Sequence, residues 1–263
     1  MIVVERRNKI KEIIRHQRSV KVSELVHLFS VSEETIRRDL NQIEKDGLIQ
    51  KNYGGAILIE DVEKTRDFVL PVQHRKRQFL QEKNEIGQKA AELVQDEQII
   101  IFDAGTTTWS TVKNLHEKRG LTIISNALNI VEEGSKNEDS SIYLLGGKLR
   151  RHSMSLVGPQ IENELNKYNA NYVFLGATGF SLRQGFMSSD LYEAEIKRAM
   201  VSAGEKIVLL ADHTKFHKVG LTSFCHLEDI NILITSDLAD EETLKAIEKA
   251  GVEVITVPAK VTS

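Results

Sequence analysis

Hydrophobic positions follow two different patterns in the two parts of this chain. Up to about residue 45 they recur at intervals of three and four, as at Ile36, Leu40 and Ile43, which is the spacing of amphipathic helices. Beyond about residue 95, short, largely apolar runs alternate with helical stretches; these runs are 99–102, 121–124, 142–145, 172–175, 207–210, 230–234 and 252–255. Such runs are typical of parallel strands buried on both faces. The pattern predicts a small helical domain followed by an α/β domain, with an open, mostly parallel sheet and helices on both faces.

One helix in the first part has a strongly polar outer face. Ser32 can cap this helix, since its hydroxyl accepts from amides of the first turn, and Glu34 lies where the helix dipole favours negative charge. Arginine can bind a guanine edge and asparagine or glutamine an adenine edge, so the face has the composition of a helix that reads the major groove. The solvated face of an ordinary surface helix has a similar composition. The other residues on or beside this face are Thr35, Arg37, Arg38, Asn41 and Gln42.

The neighbouring stretches favour the DNA-reading interpretation. Residues 23–29 predict a short helix, 30–32 a tight turn into the polar helix, and Ile10 and Ile14 mark an earlier helix. Residues 48–58 then have the pattern of strand, polar turn and strand that is typical of a hairpin. Three helices and a hairpin wing define a winged helix-turn-helix, in which the second helix of the motif contacts the base pairs.

The order and spacing of these residues resemble the N-terminal signature of the DeoR family of bacterial transcriptional regulators. The matching residues are Val31-Ser32, Thr35-Ile36-Arg37-Arg38-Asp39-Leu40, Gly47-Leu48 and Gly54-Gly55-Ala56, within about residues 5–58. The resemblance implies that Thr35, Arg37 and Arg38 lie at the DNA surface and that Lys51 and Tyr53 occupy the wing. We therefore expect double-stranded operator DNA as a partner. The expected DNA-binding residues are Ser32, Glu34, Thr35, Arg37, Arg38, Asn41, Gln42, Lys51 and Tyr53.

Small and polar residues follow five of the predicted strands. Ligands of open parallel sheets bind beyond the carboxyl ends of the strands. In the loop 103–108, Gly105 permits close approach of a ligand, and three threonine hydroxyls and free amides at a helix start suit an anion. Asp103 alone could be a helix cap, and Lys215 a solvated surface lysine. Each such loop is ordinary in an α/β protein, but together they indicate a small anionic ligand with hydroxyl groups, such as a phosphorylated sugar.

The same loops resemble the effector domain of the DeoR family, over about residues 75–257. The resemblance implies that the ligand is a sugar phosphate and that the fold is similar to ribose-5-phosphate isomerase and the phosphosugar deaminases. The expected effector-binding residues are Asp103, Gly105, Thr106, Thr107, Thr108, Asn126, Gly147, Lys148, Arg150, Gly176, Glu193, Asp212 and Lys215.

The likeness to isomerases raises an alternative, an isomerase-like enzyme that carries an accessory DNA-binding domain. Proton transfer between sugar carbons needs a carboxylate base beside the substrate. The acidic residues of the isomerases correspond to the loop 175–178, which contains none here, whereas Glu193 and Glu195 remain at the start of the next helix. We therefore predict a sensor and no enzyme: a repressor of a carbohydrate-metabolism operon, relieved by a phosphorylated sugar.

Composition adds few constraints to this interpretation. The net charge is −3, and residues 1–60 carry eleven Lys and Arg against nine Asp and Glu, a balance of +2 that is too small to argue for DNA binding. The single cysteine, Cys225, fits a reducing compartment. The chain shows no signal-peptide core and no apolar run near the ~20 residues that span a bilayer. We expect a cytoplasmic protein, nucleoid-associated when bound to DNA, with no membrane partner, no cofactor and no metal.

These patterns also predict the domain boundaries. We expect a winged helix-turn-helix domain at 1–58, a linker at 59–80 and the α/β effector domain at 81–263. The linker contains a basic cluster at 74–77, which is interpreted either as a solvated helix start or as an additional phosphate or inter-domain contact. Helix-turn-helix proteins usually read two half-sites as dimers, so we expect a homodimer or homotetramer.

Overall fold

The computed structural model describes residues 3–17, 19–45, 49–52, 55–58 and 72–259, which belong to two compact units that divide after residue 68. The smaller unit contains helices α1 (Val3–Gln17), α2 (Val22–Phe29) and α3 (Glu33–Lys45) and strands β1 (Ser19–Lys21), β2 (Ile49–Asn52) and β3 (Gly55–Leu58). The strands form an antiparallel sheet in the order β1-β3-β2. This is a helix-turn-helix followed by a hairpin. The strand β1 was not predicted, because three residues are too few to show a period.

The predicted apolar stripe of α3 forms the centre of this small core. Ile36, Leu40 and Ile43 are at most 1% exposed and pack in one cluster with Ile10 and Ile14 of α1. The spacing of three and four residues therefore places these side chains on one face, as predicted.

The larger unit is built on seven parallel strands. In spatial order they are β15 (Glu253–Val257), β14 (Ile232–Ser236), β12 (Gly204–Leu210), β9 (Ala170–Gly176), β4 (Ile99–Phe102), β5 (Thr122–Ser125) and β6 (Ser141–Leu144). Each of the seven runs overlaps one of these strands, so the predicted α/β class is confirmed. Successive residues of β4 enter opposite cores, Ile101 on one face of the sheet and Ile100 and Phe102 on the other.

Helices and short strands surround this sheet. The helices are α4 (Val72–Arg77), α5 (Leu80–Ala91), α6 (Thr106–Val112), α7 (Leu128–Gly134), α8 (Pro159–Leu165), α9 (Leu191–Ser202) and α10 (Glu241–Lys249), with 3₁₀ helices at His213–His217 and Leu227–Asp229. The strands β7 (Lys148–Arg150) and β8 (Ser155–Val157) form one hairpin, and β10 (Gly179–Ser181), β11 (Gly185–Ser188) and β13 (Thr222–Cys225) form a small antiparallel sheet.

Strands that follow β4 in the chain are added first on one side of it and then on the other. From β4 the chain adds β5 and β6 on one side, and then returns to place β9, β12, β14 and β15 on the other side. The neighbouring strands β4 and β9 therefore flank a topological switch point. There the connections leave the sheet in opposite directions and open a crevice beyond the carboxyl ends of the strands.

Two details differ from the predictions. Helix α4 and the first residue of α5 lie within the predicted linker 59–80. Helix α4 belongs to the larger unit, and its first residue, Val72, is buried. The edge strand β6 is mostly exposed, with Tyr143 48% and Leu144 42% accessible, so it is not covered on both faces. Among the described residues, no helix is long and apolar enough to cross a membrane.

Candidate functional site

The polar face of α3 is accessible, as predicted. The Ser32 hydroxyl accepts a hydrogen bond from the Thr35 amide (3.3 Å), so Ser32 caps the helix. Arg37 and Arg38 are exposed and lie 2.6 and 3.0 Å from the carboxylate of a glutamate four residues earlier. Such pairs contribute only ~0.3–0.5 kcal/mol, so exchanging them for another partner costs little. The exposed residues of the predicted set are Ser32, Glu34, Arg37, Arg38, Asn41 and Gln42, and Thr35 is half-buried.

The wing residues are less completely described. Lys51 lies in β2, but its side chain is outside the described residues, and Tyr53 is outside them altogether.

A buried ion pair joins α3 to α1 and was not predicted. Asp39 is 1% exposed, and its two oxygens accept from Arg6 Nε (2.6 Å) and Arg7 Nε (2.8 Å). Arg6 is only 7% exposed, because Asp39 offers it a carboxylate inside the interface. The pair therefore links α1 to α3 within the small unit.

In the larger unit, Asp103 gathers several groups at the switch point. Asp103 follows β4, is 3% exposed, and accepts from the amides of Gly105 (2.8 Å) and Gly176 (3.0 Å), of which Gly176 ends β9. Lys197, on α9, donates to the same carboxylate and to the Gly176 carbonyl (2.9 Å). Asp103 therefore connects the two strands that flank the crevice.

The threonine loop folds around this carboxylate. Thr108 donates its hydroxyl to Asp103 Oδ1 (2.9 Å), so it faces the aspartate and contributes to the architecture of the loop. A Cβ on Gly105 would lie 2.8 Å from both Asp103 Oδ1 and Thr108 Oγ1, which explains the glycine. Thr106 and Thr107 form the buried first turn of α6.

Cationic side chains gather beside the neighbouring strand end. Asp212, which follows β12 and is fully buried, has its Oδ2 atom 3.4 Å from Lys215 Nζ and 4.0 Å from Lys83 Nζ. Burial lowers the pKa of Lys83 to about 8; Asp212 opposes this shift, and the charges of Lys215 and Arg75 add to it. Burial also lowers the pKa values of Lys215 and Arg75. Burial alone would raise the pKa of Asp212, but Lys215, Thr214 and Lys83 outweigh it and lower that pKa.

Two more of the predicted residues lie beside this group. Arg150 contacts Asp190 (2.5 Å) and Glu193 (3.3 Å), both at the start of α9. Arg75, from α4, is attracted electrostatically by Glu193 and Asp103 and repelled by Arg150. The structure thus brings Asp103, Gly105, Gly176, Arg150, Glu193, Asp212 and Lys215 into one region.

The remaining predicted residues have other surroundings. Asn126 donates to the Leu156 carbonyl (2.8 Å), and its buried Oδ1 atom has no hydrogen-bond partner among the described residues. A Cβ on Gly147 would lie 2.6 Å from the Val157 carbonyl oxygen, so this glycine allows β7 and β8 to approach each other. Lys148 is exposed. The contacts of the described residues do not connect Gly147 or Lys148 to Asp103.

Sequence reasoning missed Arg75, Lys83 and Lys197. Lys83 lies three residues before the buried Ile86, and Lys197 lies three residues before the buried Met200, so each occupies the inward stripe of its helix. A lysine in an apolar stripe is a signal, since lysine is buried only with a partner. Arg75 belongs to the basic cluster at 74–77, for which neither proposed interpretation included the crevice.

The fold and this crevice define a class: a helix-turn-helix DNA-binding protein with a separate α/β sensor unit. The family model "DeoR-like helix-turn-helix domain" matches residues 6–62, and "DeoR C terminal sensor domain" matches residues 78–237. The uncharacterized HTH-type transcriptional regulator YulB of Bacillus subtilis is 36% identical over 98% of both chains. A putative aga operon transcriptional repressor of Escherichia coli O157:H7 is 32% identical over 96% of this chain and 93% of that protein. Ribose 5-phosphate isomerase A from Neisseria gonorrhoeae is similar over 52% of this chain and 53% of its own, with 19% identity and a TM-score of 0.38.

This chain belongs to the DeoR family of helix-turn-helix transcriptional regulators. Both of these relatives are named as transcriptional regulators. Among the described residues, no group of His, Cys, Asp and Glu could hold a metal ion.

Proposed function

We propose that this protein is a repressor of a carbohydrate-metabolism operon and that a phosphorylated sugar, bound at the switch point of the sensor unit, releases it from its operator. In this proposal α3 reads the operator, and Asp103, Arg150, Glu193 and Lys215 contact the sugar phosphate or hold its site. The relative named as a putative aga operon transcriptional repressor supports the repressor role.

One observation carries the choice of an anionic ligand: a buried lysine, Lys83, and a half-buried lysine, Lys215, share one carboxylate. Lys83 and Lys215 both lie within 4.0 Å of Asp212, and the nearby Glu82 already accepts from Ser236 (2.6 Å) and from the His213 amide (2.8 Å). Removing cations from water is costly unless opposite charge surrounds them. A phosphate group would supply that charge, and the carboxylates and amides at the ends of β4 and β9 suit sugar hydroxyls.

Matched pairs of sugars test this function. The melting temperature of the full-length protein is measured with ribose 5-phosphate and ribose, glucose 6-phosphate and glucose, and fructose 6-phosphate and fructose. A ligand that binds only the folded state stabilises it by ~2.7 kcal/mol at about 100 times its Kd. We expect stabilisation by at least one phosphorylated member and by no free sugar. Equal stabilisation by both members of each pair would contradict the phosphate site.

Arg38→Ala tests the reading helix. We expect the substitution to cost ~1–3 kcal/mol on a duplex that the wild-type protein selects from a random pool, and to relax sequence preference, because an arginine fork on guanine is lost. Fluorescence anisotropy measures the affinity for the selected duplex and the affinity for duplexes of unrelated sequence. Lys245→Ala is the control, since Lys245 is likewise exposed in a glutamate pair (2.6 Å) but lies in the sensor unit. Equal weakening on all duplexes would assign Arg38 to the phosphate backbone.

The affinity for the phosphorylated sugar should depend on pH through Lys83. A bound phosphate dianion keeps Lys83 protonated, whereas the free protein loses that proton with a pKa of about 8. We therefore expect binding to be tightest below this pH and to weaken as the pH rises through it. Calorimetric titrations from roughly pH 7 to 9 measure the effect, in a range where the ligand stays dianionic since its second pKa is near ~6. Lys83→Met should remove this decline of ligand affinity with rising pH. Lys89→Met, which changes an exposed lysine on the same helix, should keep it.

We also propose that the protein works as a homodimer or homotetramer in the cytoplasm. Helix-turn-helix readers usually contact two half-sites about 34–36 Å apart, which requires two copies of α3. Sedimentation of the full-length protein measures the oligomeric state, and a monomer at operator-binding concentrations would contradict the proposal.

A further inference from the structure

Helix α4 connects the sensor unit to the segment that leads to the DNA-binding unit. The two units divide after residue 68, and the first helix of the sensor unit, α4, begins at Val72. Val72 is buried and its amide donates to the His152 carbonyl (2.8 Å). Lys76 places its ammonium 3.8 Å from the centroid of the Trp109 ring. Trp109 belongs to α6, the helix that begins with the threonine loop, so α4 docks on an element of the candidate site.

A residue of the crevice also holds the end of α4. Lys83 Nζ donates to the carbonyls of Arg75 (2.7 Å) and Gln78 (2.8 Å), at the carboxyl end of the helix, where cationic side chains commonly bond to carbonyls. An ammonium has three donors. Two of those on Lys83 therefore hold α4, while the same atom lies 4.0 Å from Asp212. The end of α4 and the anion site thus depend on one charged group.

The junction between α4 and α5 is also tied to the crevice. Phe79 has φ 51°, a left-handed conformation that L-residues rarely adopt and that needs support from its surroundings. Its ring contacts the edge of His213 at 5.1 Å between centroids. The His213 amide and imidazole contact the buried carboxylate of Glu82. His213 is adjacent to Asp212, so a shift of that loop reaches the junction directly.

We propose that α4 is part of the effector site and transmits its occupancy to the DNA-binding unit. The ligand in this inference is the anion of the proposed function. The anion attracts the Lys83 ammonium and the Arg75 guanidinium, which withdraws Lys83 from the α4 carbonyls and weakens the contact of Lys76 with Trp109. The loosened α4 lowers the affinity of the DNA-binding unit for the operator, because the chain runs from that unit into α4. The ligand acts because it favours the loosened state over the docked one.

The fluorescence of Trp109 tests the movement of α4. Trp109 is the single tryptophan of the sequence, so the tryptophan emission of the full-length protein reports the surroundings of this ring, which include Lys76. We expect ribose 5-phosphate, glucose 6-phosphate, fructose 6-phosphate or inorganic phosphate, whichever binds by calorimetry, to shift the emission to longer wavelength and to increase quenching by acrylamide. Calorimetric binding with unchanged emission would overturn the role of α4 and leave the proposed function intact. Absence of binding by every probe would count against the proposed function instead.

A second test needs no ligand. Lys76→Met removes the cation from the Trp109 ring, and we expect it to weaken operator binding of the ligand-free protein by about tenfold, within the usual range of coupling between sites. Lys113→Met is the matched control, since Lys113 is exposed and lies 5.8 Å from the same ring centroid. Lys76→Arg keeps a cation on the ring and should bind the operator like the wild type, which separates loss of the contact from misfolding. Wild-type operator affinity and ligand response in a folded Lys76→Met protein would overturn the proposal.

Discussion

Replacing Asp39 with alanine is expected to unfold the helix-turn-helix unit under conditions where the sensor unit remains folded. The change leaves the Arg6 guanidinium, whose side chain is 8% exposed, inside the α1–α3 interface without a counter-charge. Breaking a buried pair from one side costs ~3–5 kcal/mol. Such a loss is comparable to the entire stability of a small domain, which lies at the low end of ~5–15 kcal/mol.

Two optical signals separate the units in this experiment. Trp109 lies in the sensor unit, so its fluorescence follows that unit, whereas far-ultraviolet circular dichroism follows both. We expect Asp39→Ala to lose helical signal before the tryptophan transition. Glu33→Ala breaks the exposed pair with Arg37 and should cost less than ~1 kcal/mol. A melting curve of Asp39→Ala that matches that of Glu33→Ala would show that the buried pair does not hold the unit together.

Replacing Asp103 with asparagine is expected to abolish the response to ligand and to leave operator binding intact. An asparagine keeps the shape, but it removes the negative charge opposite Lys197 and replaces one of the two oxygens that accept from Gly105, Gly176 and Thr108. Losing one partner of a buried charged pair costs 2–5 kcal/mol or more, so we expect the affinity for the phosphorylated sugar to fall about 100-fold or more. Calorimetry measures the affinity for the phosphorylated sugar, and fluorescence anisotropy measures the affinity for the operator.

A capping carboxylate elsewhere in the same unit provides the control. Asp240 accepts from the Thr243 amide (2.9 Å) at the exposed start of α10, and Asp240→Asn should leave ligand binding unchanged. If Asp103→Asn also lost operator affinity and melted at lower temperature, Asp103 would have a folding role. Unchanged ligand affinity would exclude Asp103 from the site.

The strands could be predicted from the sequence because each is a local and complete signal. Residues 99–102 and 207–210 are apolar throughout, and only strands covered on both faces bury every side chain of such a run. The polar face of α3 was predictable for the same reason, since its three-and-four spacing places Ile36 and Leu40 inward. The edge strand β6 has a similar composition, and its exposure follows only from its place in the sheet.

The sequence by itself determined which residues alternate between core and surface, and therefore a helical unit with an outward-facing polar helix and an α/β sheet. Only the tertiary structure decided which charges meet. Asp39 meets Arg6 across 33 positions of the chain, Lys197 meets Asp103 across 94, and Lys83 joins a helix end to Asp212. Hydrophobic periodicity is read within a few residues, whereas an ion pair depends on the distance between atoms that the sheet brings together. The positions of two residues in the sequence do not give the distance between their side chains in the folded protein.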